Sequence, residues 1–317
     1  MKDRFRGTPK TLRWPVVSVG SISAGGAGKT PVVIALAKML RAHGWDVDVL
    51  SRGYGRKGAS KEPEPVQIGA ANAAASFGDE PVLIAQCTGA AVWVYGDRYI
   101  AGSYAESNSP GGHTVHLLDD GFQHRRLARN FDIALVTAED LHDTLLPAGN
   151  LREDFNALQR ADAIVVREDQ LDDVKTRVWK LMREGAQMWV VRRKLVFPAP
   201  LFVFGAGLRP VAFCALARPE GFQAMLREAG CGVVDTIAYP DHHAYAMRDI
   251  ERIVEVGRQL NATGLVTTEK DSVKLTTTMR ERLETLGPLM VVGLEAEFAD
   301  ANAVVGALET RLGAQTA

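Results

Sequence analysis

The chain has 317 residues, of which 46% are hydrophobic and 24% charged, with a net charge of -1 and a pI near 6.7. That composition describes a folded globular protein of one or two ordinary domains and excludes a disordered chain or an overall basic nucleic-acid binder, so no nucleic acid is expected as a partner. Three scattered cysteines, Cys87, Cys214 and Cys231, make no C-x-x-C pair, which excludes a disulfide framework and a zinc site and suits a reducing compartment.

Residues 1–14 contain no apolar signal core. Lys2, Arg4, Arg6, Lys10 and Arg13 oppose Asp3 alone there, with Phe5, Leu12 and Trp14 interleaved, a pattern that suits either a membrane surface or a solvated end. Short valine- and isoleucine-rich runs follow at 15–19, 46–51, 91–95, 114–120, 131–136 and 162–166. Nearly continuous apolar strands of this kind indicate a parallel sheet covered on both faces. Helical periodicity over 28–44, closed by Gly44, and over 79–89, opened by Asp79 and Glu80, supplies crossover helices. The patch 69–76, "GAANAAAS", reads as a loop or frayed helix.

The segment 193–210 holds three prolines and two glycines and breaks the pattern, so it is the expected linker between a domain at 1–192 and a smaller α/β domain at 211–317, whose C-terminal helix is free to pack back on the first domain. The longest apolar stretch, 195–208, is 14 residues with two prolines, short of the roughly 20 a spanning helix needs. Beyond it, strands are expected at 211–216, 232–239, 264–268 and 288–294, with helices at 219–230 and 247–260.

"SISAGGAGKT" (21–30) lies between the first strand and the first helix. The strict pattern G-x-x-x-x-G-K-[ST] fails because Ser23 stands at its first position, but the strand-loop-helix context is that of a phosphate-binding loop. Gly25, Gly26 and Gly28 let the backbone approach an anion, Lys29 reaches the β and γ phosphates, and Thr30 offers a hydroxyl to Mg²⁺. Asp119 and Asp120, ending the strand in "HLLDDGFQHRR", are placed like carboxylates that hold Mg²⁺. Basic residues gather in separate loops: Arg52, Arg56 and Lys57; Arg98; Arg125, Arg126 and Arg129; and Arg152. Three of these loops follow strands, where α/β sheets bind ligands, so an anionic second substrate is expected.

Asp79 and Glu80 suit simple capping at a helix start. The paired histidines of "YPDHHAY" (239–245) favour an acid-base or orienting role over a metal site, for which the loop has too few ligands. Two switch families fit poorly: Ala24 replaces the extra lysine of partitioning-type ATPases, and adjacent Lys270 and Asp271 fail the [NT]-K-x-D spacing of GTPases.

Together, "SVGSISAGGAGKTPVV", "LSRGYGRKG", "GDEPVLIA", "LLDDGFQHRRLARNFDIALV", "LLPAGNLRE", "YPDHHAY" and "VTTEKDSVKL" resemble the tetraacyldisaccharide 4'-kinase family of lipid A biosynthesis over residues 14–275. The resemblance implies a P-loop α/β/α domain joined by a β linker to a smaller α/β domain, with ATP and Mg²⁺ as cofactors. It implies γ-phosphate transfer to the 4'-hydroxyl of a tetraacyldisaccharide 1-phosphate by a peripheral protein, expected to be a monomer, on the cytoplasmic side of the inner membrane. By analogy Ser23, Ala24, Gly25, Gly26, Ala27, Gly28, Lys29 and Thr30 hold the ATP phosphates. Thr30, Asp119, Asp120, Gln123 and Glu153 organise Mg²⁺, and Arg52, Tyr54, Arg98, Arg125 and Arg152 meet the anionic substrate. Asp79, paired with His242, is the implied base, with Lys29 the third catalytic residue. The family's usual apolar, basic N-terminal helix has no counterpart in the roughly thirteen residues before the first strand, so either membrane contact comes from the basic start or from 195–208, or the chain start is truncated. A nucleotide-dependent switch acting on a protein partner is the alternative reading.

Overall fold

The computed structural model describes residues 8–58, 60–70, 72–109, 111–198 and 207–313. Its elements run β1 (Val16–Ser21), α1 (Lys29–Ala42), β2 (Asp46–Ser51), β3 (Glu64–Pro65), α2 (Ala73–Phe77), α3 (Asp79–Thr88), β4 (Ala91–Val94), α4 (Arg98–Asn108), β5 (Thr114–Asp119) and β6 (Phe131–Val136). Then come β7 (Ala163–Arg167), α5 (Leu171–Leu181), β8 (Gln187–Val196), β9 (Pro210–Cys214), α6 (Pro219–Glu228), β10 (Asp235–Ala238), α7 (Met247–Gln259) and β11 (Gly264–Thr268). The chain closes with α8 (Glu269–Ser272), α9 (Thr277–Glu284), β12 (Leu289–Phe298) and α10 (Ala301–Gly313).

All twelve strands join one sheet in the order β10-β9-β11-β12-β8-β7-β6-β1-β5-β2-β4-β3. Pairing is parallel except at β3 with β4 and at β12 with β8, where Gly293 lies opposite Val196 and Phe298 opposite Val191. The strands read as apolar runs because both sheet faces are covered. Val17 and Val19 of β1 pack with α1, α3 and α10, while Val16 packs on the opposite face with Leu12, Leu50 and Ala101 of α4. In β7, Val165 faces the first of these layers and Ile164 and Val166 face α5. Burying each such side chain contributes about 1.5–3 kcal/mol. Beyond β12, Val211 and Phe213 of β9 pack against α7 and α9, and Ala212 and Cys214 against α6.

The order of β1 between β5 and β6 aims three chain segments at one end of the sheet: the loop after β1, the turn after β5 and the loop after β2. β8 runs to Val196, inside the segment 193–210 that the sequence marks as a linker, and residues 199–206 of that segment, with most of the apolar stretch 195–208, lie outside the described residues. So do Lys2, Arg4, Phe5 and Arg6 of the basic start. No described helix is long and apolar enough to cross a membrane.

Candidate active site

The phosphate loop follows from the chemistry of its glycines. Gly25, Gly26 and Gly28 adopt φ of 71°, 67° and 84°, left-handed conformations that only glycine takes without strain. Gly28 caps α1 with no side-chain hydrogen bond, so the helix start keeps its backbone donors for a ligand. The loop is pinned from beneath: Ala24 N donates to Asn150 O at 2.8 Å, Ser23 bridges Leu151, and Ser21 Oγ donates to Ser23 O at 2.7 Å. Ser23 is thereby buried under the loop, whereas Ala24 through Thr30 line a cavity of about 1320 Å³.

Lys29 Nζ lies 3.3 Å from Ser21 Oγ and 3.4 Å from Asp120 Oδ1. Asp120, held at φ 52°, also receives Arg152 Nη1 at 2.8 Å on both oxygens. Burial pushes the Asp120 carboxyl up, but Lys29 and Arg152 outweigh it and hold it below its usual range. Arg152 also donates to Gln123 Oε1 at 3.2 Å, and Gln123 Nε2 donates to Ser21 O at 2.9 Å and Glu153 Oε1 at 3.2 Å. Glu153 in turn pairs with Arg160 at 2.8 Å.

Asp119 has a different environment. Its Oδ2 accepts from Ser51 Oγ at 3.1 Å, and burial together with the Glu80 and Asp120 carboxylates pushes it up to about 7 against the pull of Lys29. This buried carboxylate is short of positive charge, the condition that a divalent cation relieves. Among the described residues no three His, Cys, Asp or Glu side chains form a metal cage. Mg²⁺ does not need one, because it keeps several waters and binds through one or two carboxylates plus substrate phosphates. Thr30 and Asp119 fit that role as they stand, while Asp120, Gln123 and Glu153 are engaged by arginines in this structure.

Opposite the phosphate loop, Asp79 opens α3, after Gly78 at φ 97° and ψ 151°. Its Oδ1 accepts from Glu80 N at 3.0 Å in the first turn of α3, and the carboxylate also reaches across to the second half of the sheet. Both oxygens lie 3.0 Å from His242 Nδ1, delivered at φ 58° by the loop after β10. Burial raises the Asp79 carboxyl, but the His242 hydrogen bond and the charges of Lys270 and Lys274 overcome this and hold it below the usual range. The Asp79 hydrogen bond raises His242, against burial and Lys270. Pairing Nδ1 with a carboxylate orients the ring, and its Nε2 lies 3.6 Å from Asp241 Oδ2. Asp79 sits behind His242, and only His242 of the two lines the cavity. The neighbouring His243 serves structure, stacking on Tyr239 and reaching Asp249 Oδ2 at 3.1 Å.

Arg52, Tyr54, Arg98, Arg125 and Arg152 all line the same cavity. Arg52, Tyr54 and Arg125 are exposed at its mouth, with the Tyr54 ring edge-on to His242 at 5.2 Å. Arg98 departs from the loop placement expected of it: Asp97 caps the helix through its side chain, so Arg98 is the first residue of α4 and is buried. Burial depresses Arg98 to about 10 although Asp119 and Asp120 pull it up. The structure adds two cavity residues that the sequence reading passed over. Arg218, after β9, stands where a Cβ on Gly26 would meet its Nε at 3.0 Å, and pairs with Glu139 at 2.9 Å. Lys270, after β11, pairs with Glu80 at 3.3 Å and Asp241 at 3.2 Å. Both follow a strand's carboxyl end, the signal already used for the first half of the sheet.

A parallel sheet, a glycine-rich loop leading into a helix with its Lys-Thr pair, and strand-end carboxylates define a P-loop kinase fold. The family model described as Tetraacyldisaccharide-1-P 4'-kinase (LpxK) matches residues 3–313, and the chain belongs to that family. It is 41% identical over 313 residues to the tetraacyldisaccharide 4'-kinase of Koribacter versatilis, covering 96% of this chain and 91% of that one. The kinase of the same name from Parvibaculum lavamentivorans is 38% identical over 278 residues, covering 86% and 76%. Among solved structures, the "apo" form of LpxK from Aquifex aeolicus in complex with ATP is similar with a TM-score of 0.73 and 28% identity, over 96% of this chain and 90% of that one.

Proposed function

We propose that this protein transfers the γ-phosphate of ATP to the 4'-hydroxyl of a tetraacyldisaccharide 1-phosphate, acting at the cytoplasmic face of the inner membrane as a peripheral protein. The observation that carries this reading is the Asp79–His242 pair, built from both halves of the sheet, which holds His242 at the cavity that the phosphate loop also lines. At about 1320 Å³ the cavity exceeds the usual span of a single small-molecule pocket, as a site for two substrates requires. Membership of the family and the ATP complex of the Aquifex aeolicus relative support the nucleotide assignment.

In this reading the donors of residues 24–30 cradle the phosphates, and Lys29 turns from Asp120 to the β and γ oxygens. Thr30 and Asp119 would hold Mg²⁺, which would supply neutralisation of phosphate charge. The 4'-oxygen attacks the γ-phosphorus, its bond to the β–γ bridging oxygen breaks, and ADP departs. The hydroxyl proton passes to the Asp79–His242 pair. Because Asp79 is held in its charged form and His242 is raised, the imidazole is where that proton rests and the carboxylate orients it. Arg52, Arg98, Arg125 and Arg152 supply positive charge for the two anionic substrates. The segments after β9 and β10 bring Arg218 and His242 to the cavity that the first half's loops line, and closure of those segments over bound substrates would exclude water.

A switch would use its final strand-helix junction to read a base. Here Asp271 is instead fully buried and accepts from Ala215 N, Tyr245 OH and Thr268 Oγ, which favours the kinase. The test is Mg-ATP turnover with and without tetraacyldisaccharide 1-phosphate in detergent micelles. A kinase releases ADP only with the acceptor present; acceptor-independent hydrolysis stimulated by a protein would support the switch.

A further inference from the structure

We infer that Lys270 is a positioning residue for phosphoryl transfer, its ammonium fastening Glu80 to Asp241 and so holding Asp79 against His242 across the cleft. This inference rests on the kinase reading. The geometry is specific. Lys270 Nζ lies 3.3 Å from Glu80 Oε1 and 3.2 Å from Asp241 Oδ1. Glu80 directly follows Asp79 at the start of α3, and Asp241 directly precedes His242 in the loop after β10. One cation from α8 therefore ties together the chain neighbours of both partners of the pair, from three segments far apart in sequence.

The ammonium is well placed for this and for little else. Its side chain is only 17% exposed and both of its contacts are part-buried carboxylates, so removing it leaves two negative charges facing each other at the seam. The charged groups that act on the Asp79–His242 pair are Asp241 from its own loop, and Lys270 and Lys274 from the segment after β11, with Glu80 of α3 held on Lys270. Lys274 is committed elsewhere, to Asp271 at 2.7 Å, which leaves Lys270 as the cation that balances the pair's own neighbours. Burial would lower the Lys270 ammonium, but Glu80, Asp79 and Asp241 raise it, so it stays charged across the working pH range.

The effect on the pair has a definite sign. Lys270 lowers both Asp79 and His242, so its loss raises both, and the proton-accepting form appears only at higher pH. The experiment is the pH dependence of phosphate transfer from Mg-ATP to tetraacyldisaccharide 1-phosphate by the full chain and by Lys270→Met, Lys270→Arg and Asp241→Asn, with Mg-ATP binding measured on each. We expect Lys270→Met to lower kcat by about 10–100-fold with the KM for ATP little changed, and to move the acidic limb up by about half to one pH unit. Lys270→Arg restores most of both. Asp241→Asn, which removes a charge that raises His242, moves the limb the other way and reads the same network without deleting the lysine. An acidic limb unmoved in Lys270→Met and in Asp241→Asn overturns the inference while leaving the kinase intact; absence of transfer by the unsubstituted chain overturns the kinase reading itself.

Discussion

Gly78 is the position where backbone geometry and the proposed chemistry are most tightly joined. It has φ 97° and ψ 151°, a region essentially reserved to glycine, and it immediately precedes Asp79. A Cβ placed on it would stand 2.9 Å from Tyr54 O, 3.3 Å from Pro81 Cδ and 3.4 Å from Gly53 C. Gly78→Ala therefore meets backbone on the Arg52–Tyr54 loop and the start of α3 at once, and neither is a flexible side-chain tip. The conformational strain alone is about 1–3 kcal/mol, enough to lower the unfolding midpoint by about 2–10 °C. Relief of the clash pushes α3 from the 53–54 segment and displaces Asp79 from His242; a misplacement near 1 Å costs about 100-fold in rate. The clash falls on residues 53, 54 and 81 and on none of residues 23–30, so Mg-ATP affinity is expected to stay within about twofold. The assay pairs calorimetric ATP binding with initial rates of lipid phosphorylation. A variant that keeps the full rate, or that loses ATP binding in step with rate, refutes this coupling of Gly78 to the Asp79–His242 pair.

Transfer should rise with pH through the titration of His242: its ordinary value is 6.5, its hydrogen bond to Asp79 raises it, and only the neutral ring accepts a proton, so the half-maximal rate lies above pH 6.5. A limb centred below 6.5 would contradict the assignment. Asp271→Ala removes the one acceptor shared by Ala215 N, Tyr245 OH and Thr268 Oγ and leaves Lys274 without its partner at 2.7 Å, a loss of about 3–5 kcal/mol in urea unfolding. Its preference for ATP over GTP should be unchanged, whereas a base-reading aspartate would alter it.

Much of this architecture was legible in the chain. The apolar strands at 15–19, 114–120 and 131–136 become adjacent parallel strands because valine and isoleucine runs can be buried only inside a doubly covered sheet. The Lys-Thr pair after three glycines and the paired aspartates at a strand end are local patterns, and both lie where that order requires. What escaped was mostly helical or long-range. The expected helix 28–44 is Lys29–Ala42, but α4, α5 and α9 went unread: α4 buries Arg98 beside the small Ala101, Gly102 and Ala105, and α9 buries only Met279 and Leu283, too little for an apolar stripe to show. Arg98 looked like a loop residue because its burial depends on the Asp97 cap, which converts the loop into a helix start. The patch 69–76, read as a loop or frayed helix, contains the short helix Ala73–Phe77. No spacing in the sequence relates Lys270 to Glu80 and Asp241; only the return of β11 to the sheet beside β12 brings them together.

The most direct test of the central claim is transfer of labelled γ-phosphate from Mg-ATP to tetraacyldisaccharide 1-phosphate in micelles, by the full chain and by Lys29→Ala, with the label's position on the sugar determined. The account predicts label on the 4'-oxygen and a loss of at least about 100-fold in the variant, since Lys29 is the cation reaching the γ-phosphate. Label at another position, or equal transfer by Lys29→Ala, would contradict it.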